Sequence, residues 1–247
     1  MPNTVQEHYD SFLAEHYDWM FGVPLESKVA EQKILLQELL GTHTNGAAVD
    51  LGCGSGFQSL ALADLGYEVL AVDISTRLLR DLRARIGSRH ITVKHADILM
   101  LDSLAAKESV SVAICMGDTL THLSGRHEVT RLFQSVSRAL KPGGRFIVTY
   151  RDLAEGELSG LERFIAVRSD ERRVMTCFLE FETAETVVVH DLINTREEDG
   201  QWALRKSSYT KLRLPIDWVA AELGAAGLSL TDQRVGRMVT LAASKRA

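Results

Sequence analysis

Asp50, Gly52, Gly54 and Asp73 have the types and spacing to hold a ligand. Residues 48–56 read Ala-Val-Asp-Leu-Gly-Cys-Gly-Ser-Gly and run into Phe57-Gln58-Ser59-Leu60-Ala61-Leu62-Ala63. The apolar Ala47-Ala48-Val49 suits the end of a buried strand, the glycines a turn, and the residues after them a helix. Glycines let a backbone approach a ligand closely. A helix start offers free N–H groups to an anion. A second strand pattern, Tyr67-Glu68-Val69-Leu70-Ala71-Val72-Asp73, ends in an acid. That acid falls about twenty residues past the first glycine, where a carboxylate can accept from ribose hydroxyls.

The loop is GxGxG, with Phe57 where a dinucleotide-binding GxGxxG places its third glycine. Asp50 would repel a pyrophosphate, but not an amine or a sulfonium. A third acid lies in Lys94-His95-Ala96-Asp97-Ile98. Two further segments follow, Ser111-Val112-Ala113-Ile114-Cys115-Met116-Gly117-Asp118 and Leu140-Lys141-Pro142-Gly143-Gly144-Arg145-Phe146-Ile147-Val148. In this order over residues 48–150 they resemble the motifs of class I S-adenosylmethionine (SAM)-dependent methyltransferases. Another Rossmann-like domain with a different nucleotide is the bland alternative.

The resemblance implies SAM as cofactor, held by Asp50, Gly52, Gly54, Asp73, Asp97 and Met116. Backbone at Gly52 and Gly54 would approach the methionine part. Asp73 would hold the ribose, Asp97 the adenine amino group, and Ile74 and Ile98 would pack on the ring. Taken alone, Asp73 reads equally as a helix cap and Asp97 as a loop acid.

Cys115-Met116-Gly117-Asp118-Thr119-Leu120-Thr121-His122-Leu123 and Tyr150-Arg151-Asp152 resemble glycine N-methyltransferases, which carry asparagine in place of Asp118. The resemblance implies an acceptor site in which Arg151 clamps an anionic group. The charge of Asp118 suits an amine instead of a carboxylate. His122 titrates near neutrality when unperturbed and is a candidate base beside Asp118. The competing readings are a helix cap for Asp118, a local salt bridge for Arg151 and a half-buried side chain for His122. Tyr17 is a candidate for covering the site from the N-terminal segment. Tyr209 and His190 are candidates on later strands, with strand parity open.

The chain has 247 residues, a net charge of −5 and an ordinary globular composition, enough for one full core. Its acidic balance argues against a nucleic-acid surface. Cys53, Cys115 and Cys177 are scattered, so neither a disulfide framework nor a metal cluster is expected. No membrane span or signal-peptide pattern is visible, and the cytoplasm is the default expectation.

Strands at 47–51, 68–73, 90–94, 111–116 and 145–150 alternate with helices at 57–65, 76–86 and 126–140, the last stopped by Pro142-Gly143-Gly144. Ser75 is a natural N-cap. Such alternation predicts an α/β fold, a Rossmann-like seven-stranded and mostly parallel sheet with helices on both faces. Ahead of it, Thr4–Phe21 predicts one amphipathic helix and Ser27–Leu40 another, so residues 1–41 form N-terminal lid helices. Residues 163–168, 172–182, 185–195 and 201–213 alternate as half-exposed strands do. Residues 152–213 are therefore expected to be an antiparallel β insertion after strand five, shaping the acceptor site or a subunit interface, with room for a homodimer. A helix at 216–226 and strands at 228–234 and 237–244 close a single domain, 1–247.

The expected function is methyl transfer from SAM to nitrogen, or less readily oxygen, of a small molecule. The alternatives are an RNA or protein methyltransferase and a non-enzymatic SAM-binding protein.

Overall fold

The computed structural model describes residues 2–41, 45–154, 156 and 158–246. Its main sheet has strands β1 (Gly46–Leu51), β2 (Tyr67–Asp73), β3 (Ile91–His95), β4 (Val110–Cys115), β5 (Leu140–Tyr150), β10 (Leu228–Val235) and β11 (Val239–Lys245). Their order is β10-β11-β5-β4-β1-β2-β3. The first five pair in parallel, whereas β11 is antiparallel to both β5 and β10. Because β4 lies beside β1, the chain reverses direction across the sheet there. The carboxyl ends of these strands thus open a crevice at the switch point.

Side chains alternate across the sheet. Val49, Leu51, Ala113 and Cys115 face helices α6 (Arg126–Ala139) and α7 (Ile216–Ala225) in one core. Ala48, Val112 and Ile114 face helices α3 (Leu25–Leu40), α4 (Phe57–Asp64) and α5 (Thr76–Arg85) in the other. Ser75 caps α5, its hydroxyl accepting from the Leu78 amide at 3.3 Å. The helix expected through residue 140 stops at Ala139, and β5 runs through the Pro-Gly-Gly segment. The pairing passes from Val110↔Leu140 to Val112↔Arg145, so an irregular register absorbs the extra residues.

The single helix expected over Thr4–Phe21 is broken. Helix α1 (Val5–His8), with a Thr4–Glu7 capping box, runs into a π-helical stretch (Tyr9–Leu13), and after a turn comes α2 (Tyr17–Phe21). The break follows the surfaces beneath it. Phe12 and Leu13 bury against Met175 and Ile193, while Tyr17 stacks on Phe57 of α4 at 6.2 Å.

The inserted strands are β6 (Phe164–Ser169), β7 (Arg173–Phe181), β8 (Thr186–Arg196) and β9 (Trp202–Leu212), an antiparallel sheet in sequence order. Leu179, Val187, Val189 and Tyr209 form its buried face with Val5 packed on them. No helix of the described residues is long and apolar enough to cross a membrane.

Candidate active site

Strand β1 ends in the glycine turn. Gly52, Gly54 and Gly56 all have left-handed backbones, with φ of 80°, 53° and 98°. At Gly52 a Cβ would fall 2.3 Å from the Thr119 side chain, so no larger residue fits. Asp73, at the end of β2, ties this turn to the next one. Its carboxylate accepts from the Gly54 amide and from the Ser75 amide, each at 2.8 Å. Burial nonetheless pushes its carboxyl up, against those hydrogen bonds.

A cavity of about 760 Å³ opens on this turn, a size that suits a nucleoside-like ligand with a small partner. Gly52, Gly54, Asp73, Ile74, Asp97 and Ile98 lie on its wall, as do Tyr17 and His122. One oxygen of Asp97 accepts from the Leu99 amide at 2.8 Å, so this acid also caps a turn.

Asp50 and Met116 stand elsewhere. Asp50 is 1% exposed and accepts from the Ser59 hydroxyl at 2.6 Å, beneath the turn. Its burial raises the carboxyl to about 7, although the Ser59 bond pulls it down. Met116 is buried, and after β4 the cavity wall is built by Gly117 and Thr119.

The acceptor residues are rearranged more deeply. Asp118 is 5% exposed and has φ 84°, a left-handed conformation uncommon for a residue with a Cβ. Its carboxylate bonds the Lys211 ammonium of β9, and accepts from the Arg151 amide at 2.9 Å and the Thr121 hydroxyl at 3.1 Å. Burial is the largest single influence and pushes its carboxyl up, but Lys211, His122 and the Arg151 amide together outweigh it, and the group stays below the usual carboxylate range. Asp118 is thus the carboxylate of an internal ion pair. The Arg151 guanidinium sits 3.9 Å from the same carboxylate, the local pairing that competes with an anion clamp.

His122 is in place but is a poor base. Burial, then the Lys211 charge, lowers it to about 3, so it is neutral at pH 7. Its Nε2 lies 3.4 Å from the Tyr9 hydroxyl, its ring stacks on Tyr209 at 5.3 Å, and its buried Nδ1 has no hydrogen-bond partner among the described residues. Tyr209 therefore backs the site. His190 points to the other face of the insertion, where it pairs with Glu180 at 2.9 Å. Lys28 of α3 pairs with Glu31 at 2.7 Å.

Sequence reasoning missed Thr119 and Lys211. For Lys211 a signal existed: it shares the parity of buried Tyr209, and a charge at an inward strand position asks for a partner. Thr119 offered none, since its role depends on close approach to Gly52.

Comparisons with known proteins agree with this geometry. Residues 48–144 match the methyltransferase-domain family model. Glycine N-methyltransferase of Mus musculus is 28% identical over 138 residues, 51% of this chain and 47% of that protein. The chain thus spans about half the length of that relative. Malonyl-[acyl-carrier protein] O-methyltransferase of Pseudescherichia vulneris is 28% identical over 208 residues, 82% of this chain and 72% of that protein. The CcbJ methyltransferase structure from Streptomyces caelestis superposes with a TM-score of 0.78 at 22% identity, covering 97% of this chain and 98% of its own. These similarities support a class I SAM-dependent methyltransferase, a family whose cofactor is SAM.

The residues present fit that cofactor. The glycine turn leaves room that a Cβ would fill, and Asp73 places a carboxylate on the cavity wall.

Proposed function

We propose that this protein transfers a methyl group from SAM to a nitrogen of a small-molecule acceptor. The observation that carries the reading is the cavity itself, lined by the glycine turn and Asp73 together with Tyr9, Tyr17 and the uncharged His122. In this reading Asp73 accepts from the ribose hydroxyls, Asp97 from the adenine amino group, and Ile74 and Ile98 flank the ring. Bound SAM supplies an electrophilic methyl on a sulfonium, a leaving group that needs no acid.

The chain's own residues then have little proton chemistry to do. His122 is neutral and scarcely takes up a second proton, and Asp118 is engaged by Lys211. Burial keeps the Tyr9 and Tyr17 phenols protonated, so they act as hydrogen-bonding groups and exclude water. An acceptor here must bring its own lone pair. A neutral amine does so, and desolvation favours its uncharged form. An alcohol would need a stronger base. Carboxylate oxygen is the second reading, favoured by the name of the O-methyltransferase that matches over 82% of this chain.

Residues 1–41 act as the lid and 152–213 as the acceptor wall in this proposal, supported by Tyr9 and Tyr17 on one and Thr210 on the other. The acidic balance supports a small molecule over nucleic acid, and three free cysteines suit the reducing cytoplasm. The test is transfer from methyl-labelled SAM to a panel of small amines and matched alcohols and carboxylates. Label on amines supports the reading. Label only on oxygen, or on no small molecule while RNA or protein is labelled, contradicts it.

A further inference from the structure

We propose that Lys211 is a positioning residue: its ion pair with Asp118 fixes the turn that sets Thr119 and His122 on the cavity wall. On this view the inserted sheet helps to shape the cofactor pocket as well as the acceptor side. The inference rests on the SAM reading given above.

The turn after β4 is unusual in what it asks of Asp118. This residue begins the 3-10 turn Thr119–His122 from a left-handed backbone, which a residue with a Cβ keeps only when its surroundings hold it. Asparagine and aspartate visit that region more readily than others, yet the carboxylate is then buried. Three donors meet it. The Arg151 amide and the Thr121 hydroxyl belong to neighbouring turns and strands of the core. The ammonium of Lys211, from β9, provides the closest countercharge. Arg151 is the other cation, but its guanidinium stands at 3.9 Å and its side chain is 43% exposed. An unpaired buried carboxylate is costly, so without Lys211 the group would protonate, admit water or swing toward Arg151.

Each of these changes would be felt in the cavity. Thr119 is the next residue, and its side chain occupies the space over Gly52. Its hydroxyl donates to the Met116 carbonyl at 3.1 Å, which ties it to the end of β4. His122 closes the same turn. The groups facing it are the Tyr9 hydroxyl, the Tyr209 ring, Asp118 and Lys211, with the His8 ring tilted against Tyr209 at 4.1 Å. Lys211 is the cation in that set that disfavours a proton on His122, and its removal lifts that repulsion.

The test uses the full chain and S-adenosylhomocysteine as the probe. Lys211→Met should weaken calorimetric binding of the probe by about threefold to thirtyfold, the range of coupling through a packed network. In the same variant the His122 imidazole, followed by NMR, should titrate at higher pH than in the wild type. Lys211→Arg should return both readouts toward the wild-type values. A pair that merely stabilises the fold would lower the melting temperature and move neither readout. If Lys211→Met does not fold, the neutral pair Lys211→Met with Asp118→Asn is measured in its place. Weakened probe binding in the folded double variant supports the proposal. Wild-type probe affinity in either folded variant, or an unmoved His122 titration in Lys211→Met, overturns it. Failure of the wild type to bind the probe would instead strike the SAM reading.

Discussion

In the seven-stranded core, the acids near the cavity are tied down by neighbours in sequence. Asp50 is bonded to Ser59, nine positions away, and Asp73 to Ser75, two away. Between the inserted sheet and the rest, the ties run over long stretches of the chain. Lys211 meets Asp118 across 93 positions, and His8 meets Ser207 across 199. The core assembles its cofactor side from one strand–turn–helix unit and the strand beside it. The rest of the wall exists only once the N-terminal segment, the turn after β4 and the insertion have come together. A local site is readable as a motif, whereas a composite one depends on packing.

The largest expected effect is at Gly52. Gly52→Ala meets both a left-handed backbone and the Thr119 side chain at 2.3 Å. Probe affinity should fall by about a hundredfold or more, as strain and steric overlap add up to roughly 3 kcal/mol. At Gly54 the nearest atom is the Tyr17 hydroxyl at 3.1 Å, the movable end of a side chain. Gly54→Ala should therefore cost clearly less in the same calorimetry. Equal losses would show that backbone strain alone sets the tolerance of the turn.

On the composite side, the largest loss should follow Asp191→Ala. Asp191 faces the His8 ring at 3.2 Å and is 4% exposed. Removing it should destabilise the protein by about 1–3 kcal/mol in urea unfolding, the usual cost of stranding a buried polar partner. The N-terminal segment should then become easier to cleave by protease. An unchanged midpoint would mean that the segment docks through Phe12 and Leu13 alone.

The pH dependence of stability separates the two regions by sign. Asp50 has a folded value near 7, above its usual 3.8, so the folded state holds a proton the unfolded state has lost. Its contribution is complete below about 3.8 and is lost as pH rises toward 7. His122 has a folded value near 3, below its usual 6.5. Its contribution is complete above about 6.5 and is lost as pH falls toward 3. The two slopes oppose each other in the wild type. Asp50→Asn should leave a net rise in stability between pH 4 and 7, and His122→Phe a net fall, in urea midpoints across that range. Profiles parallel to the wild type would remove the buried-charge account of both groups.

The smallest effect should come from a surface pair. Arg138 and Asp102 bond at 2.6 Å with both side chains about half exposed. Arg138→Met should change stability by no more than about 0.5 kcal/mol.

The order of strands and helices was legible in the sequence because hydrophobic alternation and glycine turns are local signals. The N-terminal segment was not. Its apolar residues repeat like one helix, yet they serve two surfaces, the insertion through Phe12 and the core through Tyr17, and a π-helical stretch accommodates the change of direction. The meeting of Gly52, Gly54 and Asp73 on one cavity was legible because it is set by local signals. The acceptor side was less legible, because Asp118 and Arg151 read equally as acceptor contacts and as a cap and a local salt bridge. The ammonium that engages Asp118 comes from β9, about ninety positions on, beyond the reach of any spacing rule.

One comparison tests the division of labour most directly: calorimetric binding of S-adenosylhomocysteine by Asp73→Ala and by His122→Phe. Asp73 offers a carboxylate at the glycine turn, the proposed ribose acceptor, while His122 lines the same cavity from the turn after β4. Asp73→Ala should weaken binding at least about tenfold, the loss of hydrogen bonds to a charged acceptor. His122→Phe should stay within about twofold of the wild type, a few tenths of a kcal/mol. Equal losses in the two variants, or unchanged affinity in Asp73→Ala, would contradict the account.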